Sequence, residues 1–259
     1  MPGNYVFPGG MLDGYDGDTK KWPELIDMSF EEIGSRFGGG ISTAATLSYC
    51  VAAIRETFEE AGVLLAETGN EDSLDIAKIR ADNEGFRPGW FLSVAKASHW
   101  RLSFSSLYPW AHWITPVAMK YRYDTRFLVA LMPPDQSCKT DQNETSSGVW
   151  IEPKKALEAN LAGKLVLSPP TLVTLDGLRQ FAKFDDLMAD LSTRTWGPAI
   201  KPRMIPLPEG AVLVEPWDDQ FKEAEIKIDA ETLGAKVLPV GAVFSRIWLN
   251  EGLWRPVSL

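Results

Sequence analysis

Three glutamates, Glu56, Glu59 and Glu60, stand at i, i+3 and i+4 in a stretch with helical periodicity. At 100° per residue from Leu47, the apolar Val51, Ile54 and Phe58 fall within about 40°, whereas the glutamates lie between about 120° and 220°. One face of this helix reads as buried and the opposite face as three carboxylates. Like charges at this spacing repel by a few tenths of a kcal/mol, about 0.2–0.5 per pair, unless something positive lies between them. A divalent cation meets that need, and hard ions such as Mg²⁺ take oxygen ligands while keeping waters, which suits a metal-bridged diphosphate. Taken in isolation, an E-x-x-E-E string also reads as a solvated acidic face. Three further features bear on a phosphate-bearing substrate. Gly9 and Gly10 let backbone N–H groups approach an anion. Lys120, Arg122 and Arg126 form a local positive patch. His112 lies between Trp110 and Trp113, where a hydrogen-bonded structural role and a substrate contact are both open.

The helix that must carry the carboxylates begins at Ser42 or Thr43, either of which can cap it, and ends before Gly62. Upstream, Tyr5 to Gly10 reads as a strand end entering a glycine turn, and residues 14–40 as an inserted lobe. Downstream, the expected elements are a polar helix from Glu71 to Asn83, a strand from Tyr121 to Leu131, and helices over Pro153 to Leu161 and Pro170 to Phe184. Past Ser192 the pattern changes to short β-like runs such as Ala211 to Val214.

Of 259 residues, 45% are hydrophobic and 24% charged, which excludes a disordered or fibrous chain. The net charge of -9 argues against broad binding to nucleic acid or an anionic membrane, so a polyanionic substrate has to be met locally. Cys50 and Cys138 are too few for a disulfide framework. No apolar run reaches membrane-spanning length, and the N-terminus lacks the pattern of a secretion signal. The closing Val257-Ser258-Leu259 lacks the basic residue of a peroxisomal address, leaving a cytoplasmic location as the expectation.

Arg55-Glu56-Thr57-Phe58-Glu59-Glu60-Ala61-Gly62-Val63 resembles the second half of the Nudix box, and Phe7-Pro8-Gly9-Gly10 resembles the turn that opens it. The long stretch between Gly10 and Arg55 departs from a standard box. It resembles the coenzyme A diphosphatase branch, nucleoside diphosphate linked moiety X motif 19, whose box is interrupted by an insertion. Trp110 to Pro116, Tyr123 to Phe127, Trp150 with Pro153, and Ser168 to Thr171 extend the likeness. Leu47, eight positions before Arg55, fits a packing role and puts the usual ion-pair support of Arg55 in doubt.

The resemblance implies an α+β fold, a Nudix α/β/α sandwich with a mixed sheet. The Nudix domain would span residues 1–190, with the 14–40 insertion inside the box and 191–259 as a C-terminal extension. It implies Mg²⁺ or Mn²⁺ held by Glu56, Glu59 and Glu60, and substrate contacts at Arg55, Gly9, Gly10, His112 and Arg126. Glu144, in the polar turn before Trp150, becomes a candidate base or further metal ligand. The implied reaction is hydrolysis of a small-molecule nucleoside diphosphate, coenzyme A or an acyl-CoA, to 3',5'-ADP and (acyl-)phosphopantetheine. Hydrolysis of ADP-ribose or a dinucleotide, or a silent ligand-binding domain, are the rival readings. Neither oligomeric state nor acyl preference is legible in the residues. A Nudix domain normally carries strands before its F-P-G-G turn, and so few residues precede Phe7 that a missing hairpin and open sheet edges are also expected.

Overall fold

The computed structural model describes residues 4–37, 40–68, 76–83, 85–138 and 148–258. In chain order the elements are α1 (Phe30–Phe37), α2 (Thr43–Ala61), β1 (Ala66–Glu67), α3 (Ile76–Asp82), α4 (Trp90–Ala97), β2 (Arg101–Leu102), β3 (Leu107–Ile114) and β4 (Asp124–Ala130). They continue with α5 (Pro153–Leu161), α6 (Pro169–Leu178), α7 (Phe184–Thr193), β5 (Arg203–Pro206), β6 (Ala211–Val214), β7 (Arg246–Asn250) and β8 (Leu253–Val257).

Helix α2 forms where its sequence says it should. The Ser42 hydroxyl accepts from the Ala45 N–H at 3.2 Å, and Gly62, at φ 65°, takes the left-handed conformation that closes the last turn onto Phe58. Leu47, Cys50, Val51, Ile54 and Phe58 are fully buried along one stripe. Each large apolar side chain there contributes about 1.5–3 kcal/mol of burial, so packing far outweighs intrinsic propensity in holding the helix.

The core around α2 draws in Trp22, Ile26, Ile33 and Phe37, so the stretch before α2 contributes buried side chains to it. Its other walls come from α4 and the residues around β2 and β3, where Trp90, Phe91 and Trp100 ring Phe58 at centroid distances of 5.8 to 6.4 Å. A second core joins α5 and α6 to one face of the C-terminal sheet, through Leu157, Leu167, Leu172, Leu213, Ile247 and Trp254. Asn160, buried in α5, ties the two layers by donating to the Trp254 carbonyl and accepting from the Leu167 N–H.

The named ladders are all antiparallel: β1 with β2, β3 with β4, and β5-β6-β7-β8 in order. The parallel component of the expected mixed sheet is confined to isolated bridges, among them Tyr5 with Leu167 and Trp113 with Ile200. Residues after α7 return to the first body. Ile200 exchanges backbone bonds with His112 and Ile114, and Trp196 packs on Phe37 and Tyr49.

Two expected elements are shorter. The strand expected from Tyr121 begins at Asp124, because residues 115 to 123 form a turn closed by the Thr115 N–H on the Tyr123 carbonyl. The helix expected over Pro170 to Phe184 breaks after Leu178, where the N–H groups of Gln180 and Phe181 tighten onto carbonyls three residues back. Of the helix expected from Glu71, residues 76 to 82 are seen, and residues 69 to 75 lie outside the described set. No helix among the described residues is long and apolar enough to cross a membrane.

Candidate active site

The carboxylate face of α2 is covered. Glu56 and Glu59 are each 8% exposed, and Glu60 is half-buried, whereas a helix wheel taken alone leaves all three open to solvent. The cover is the loop from Phe7 to Asp16 on one side and the start of α4 on the other.

Arg55 organises the cluster. Its Nη1 donates to Glu56 Oε1 at 2.8 Å and to Glu59 Oε2 at 3.1 Å, Nη2 to the Met11 carbonyl and Asp16 Oδ2, and Nε to Asp16 Oδ1. Every nitrogen of the guanidinium is engaged by acceptors of the protein, so Arg55 holds the carboxylates together. Burial opposes its charge, and the three acids outweigh that effect and raise its pKa. Asp16 supplies the ion pair that Leu47 cannot. It stands six residues after Gly10, and an acid at that spacing from the glycine turn is the signal that sequence reasoning passed over. Leu47 is fully buried, consistent with packing.

Asp13, on the same loop, accepts from the Gly89 N–H at 2.7 Å, which pins the loop to the start of α4. From that start Trp90 sends its indole N–H to Glu59 Oε1 at 2.6 Å. Burial raises the Glu59 carboxyl to about 7, with Trp90 and Arg55 pulling the other way. Burial likewise holds Asp16 above the usual carboxylate range despite Arg55.

The glycine turn faces the same helix. The Gly9 N–H donates to Glu60 Oε2 at 3.1 Å, so it is already spent on the protein and not held free for a phosphate. A Cβ on Gly10 would stand 2.6 Å from Glu56 Oε2, a contact no side chain can make. Only glycine lets the turn lie this close to the carboxylate.

Whether a divalent cation suits this site can be judged from the donors. Asp16, Glu56 and Glu59 converge on the Arg55 guanidinium, and every candidate donor is an oxygen. That donor set fits a hard divalent ion. Among the described residues, no three acidic, histidine or cysteine side chains already converge on one point. Glu144 lies outside the described residues.

His112 and Arg126, the remaining described candidates, lie on the β3–β4 hairpin. His112 Nε2 meets Asp124 Oδ1 at 2.7 Å, and burial, with the Arg126 charge next, holds its imidazole below the usual range. Arg126 is not part of an exposed patch. Its guanidinium is buried between the Tyr49 and Trp196 rings at 5.1 and 5.2 Å, while Lys120 and Arg122 lie on the 115 to 123 turn. β4 pairs Arg126 opposite His112, so its inward position follows from register, which a charge count does not reveal.

An R-E-x-x-E-E helix roofed by an F-P-G-G turn, within an α+β body, defines a Nudix hydrolase. Residues 38–178 match the family described as NUDT19 Nudix domain, and the chain belongs to that family. It is 27% identical over 267 residues to "Acyl-coenzyme A diphosphatase NUDT19" of Xenopus laevis, covering 86% of this chain and 68% of that protein. It is 25% identical over 295 residues to the Homo sapiens protein of the same name, covering 95% and 76%. The crystal structure of a NUDIX hydrolase from Alicyclobacillus acidocaldarius aligns with a TM-score of 0.59 and 22% identity, over 76% of this chain and 84% of that one. That likeness shows the shared fold.

Proposed function

We propose that the chain hydrolyses the diphosphate of coenzyme A or an acyl-CoA, releasing 3',5'-ADP and (acyl-)phosphopantetheine, with Mg²⁺ or Mn²⁺ bound by Glu56, Glu59 and Glu60. The observation that carries this reading is the convergence of Asp16, Glu56 and Glu59 on the Arg55 guanidinium beneath the glycine turn. The names of the relatives support the choice of coenzyme A. A bound divalent cation supplies neutralisation of the diphosphate oxygens and a lowered pKa for the attacking water. The chain's own residues do the positioning. Arg55 holds Glu56 and Glu59 adjacent, and the Gly9 N–H steadies Glu60. The covering loop limits water around the cluster, which strengthens charge interactions within it.

For domain organisation, we take residues 1–190 as the catalytic unit and 191–259 as an appended sheet. The packing of Trp196 and pairing of Ile200 support counting residues 194 to 200 with the first. Glu144 enters as a base or a further ligand. Glu144→Gln would lower kcat alone in the first case, and raise the metal concentration for half-maximal rate in the second.

The test is product analysis. The protein is incubated with Mg²⁺ or Mn²⁺ and, in separate reactions, coenzyme A, an acyl-CoA, ADP-ribose and a dinucleotide, and the products are separated by chromatography. Preferential appearance of 3',5'-ADP from the coenzyme A reactions is expected. Preferential turnover of ADP-ribose or the dinucleotide would replace the substrate assignment, and tight binding without turnover would replace the enzyme reading.

A further inference from the structure

Glu59 receives a hydrogen bond from a residue that lies outside the R-E-x-x-E-E string. Trp90 opens α4, is 7% exposed, and packs its ring against Phe86, Phe58 and Phe91 at 5.1, 5.9 and 5.4 Å. Its position is fixed from behind. Gly89 sits at φ 78°, and a Cβ there would come within 3.0 Å of the Tyr15 ring, so the turn into α4 admits only glycine in this conformation.

We propose that Trp90 is a positioning residue for Glu59 and that its indole N–H sets the affinity of the site for a divalent cation. This inference rests on the metal-dependent reading given above. The geometry supports it because the two carboxylate oxygens of Glu59 have different holders. Oε1 takes the Trp90 N–H at 2.6 Å, and Oε2 takes Arg55 Nη1 at 3.1 Å. Two bonds from opposite sides fix the plane of a carboxylate, where one bond leaves it free to swing. Each oxygen keeps a further lone pair, and those lone pairs are then presented in a fixed direction. Groups that orient a metal ligand in this way change metal affinity by about 10–100-fold when removed.

A purely structural role for the same contact makes a different forecast. A buried indole N–H needs some acceptor, and Glu59 would then serve Trp90, not the reverse. Trp90→Phe separates the two, since it keeps an aromatic ring in the cluster and deletes the donor. Phe86→Leu thins the same cluster and leaves the donor in place.

The experiment measures Mn²⁺ binding by isothermal titration calorimetry on the full chain, together with thermal melting, for wild type, Trp90→Phe, Trp90→Leu, Phe86→Leu and Glu59→Gln. Trp90→Phe is expected to weaken Mn²⁺ binding by about tenfold or more, with kcat largely recovered at saturating Mn²⁺. Trp90→Leu, an apolar side chain without a donor, is expected to do the same and stands in if the Phe variant melts too low. Phe86→Leu is expected to lower the melting temperature and keep Mn²⁺ affinity within about twofold of wild type. Affinity within about twofold of wild type in the Trp90 variants, with a clear loss in Glu59→Gln, overturns this inference and leaves the metal reading standing. Absence of Mn²⁺ binding by the wild type overturns both.

Discussion

Asp16→Ala removes the carboxylate that holds Arg55 from the loop side. Asp16 is 2% exposed and accepts from the Asp13 N–H at 2.7 Å, Arg55 Nη2 at 3.0 Å and Arg55 Nε at 3.3 Å. Removing one partner of a buried ion pair costs about 3–5 kcal/mol when the other charge is left bare. Arg55 would not be bare, because Nη1 keeps Glu56 and Glu59. Burial also holds the Asp16 carboxyl above its usual range, which means desolvation already cancels part of the attraction. The expected loss is therefore at the low end, about 2–3 kcal/mol, which lowers Tm by roughly 4–12 °C for a chain of this size. Urea unfolding followed by tryptophan fluorescence measures the free energy, and scanning calorimetry measures Tm. A cycle with Arg55→Met should give a coupling of about 1–3 kcal/mol between the two positions. Melting within about 1 °C of wild type, or a coupling indistinguishable from zero, would refute the assignment of Asp16 as the ion partner.

Three further outcomes follow from other parts of the structure. Gly10→Ala pushes the Glu56 carboxylate from its place and should lower turnover by about a hundredfold with Tm nearly unchanged, since Gly10 is exposed; unaltered kcat would contradict the close approach. Glu59→Gln and Glu60→Gln should each lower turnover by at least about a hundredfold, and the Glu59 variant should also lose stability, because it turns an amide toward Arg55; equal activity in either would remove that residue from the metal site. Glu215 is fully buried at the end of β6, neither carboxylate oxygen has a partner among the described residues, and burial pushes its pKa up to about 8. The folded chain thus keeps a proton that the unfolded chain releases, so the contribution of Glu215 is most favourable below about pH 4.5 and declines toward about pH 8 by a few kcal/mol. Glu215→Gln should flatten that decline in urea midpoints, and a wild-type midpoint independent of pH would dismiss the idea.

Helix α2 was legible because three local signals agree: the Ser42 cap, the apolar stripe from Leu47 to Phe58, and Gly62. Pro153–Leu161 and Ala211–Val214 were legible for similar reasons, a proline at a helix start and a short β-branched run. Membership in the Nudix class was carried by Phe7 to Gly10 and Arg55 to Val63. What covers the glutamates was not legible, because a helix wheel describes one element and the cover comes from Asp16 and Trp90, far away in sequence. The inward turn of Arg126 depends on β3 and β4 register, and the shared core of α5, α6 and the last four strands depends on tertiary packing. Local spacing carries neither.

Trp196 and Ile200 bind the order of synthesis to the order of folding. The core that shapes the glutamate helix takes Trp196 as a wall, against Phe37 and Tyr49, and β3 takes Ile200 as a neighbour. During translation, α1, α2 and the β3–β4 hairpin all leave the ribosome well before either residue exists to meet them. The nascent first body must wait with an open side, and its closing contacts join segments separated by roughly a third to three fifths of the chain. Contacts of such long sequence separation fold slowly and leave apolar surface uncovered meanwhile. A chaperone that shields Phe37 and Tyr49 until the stretch around Trp196 arrives would therefore act on yield of folded protein and leave the finished enzyme's activity untouched.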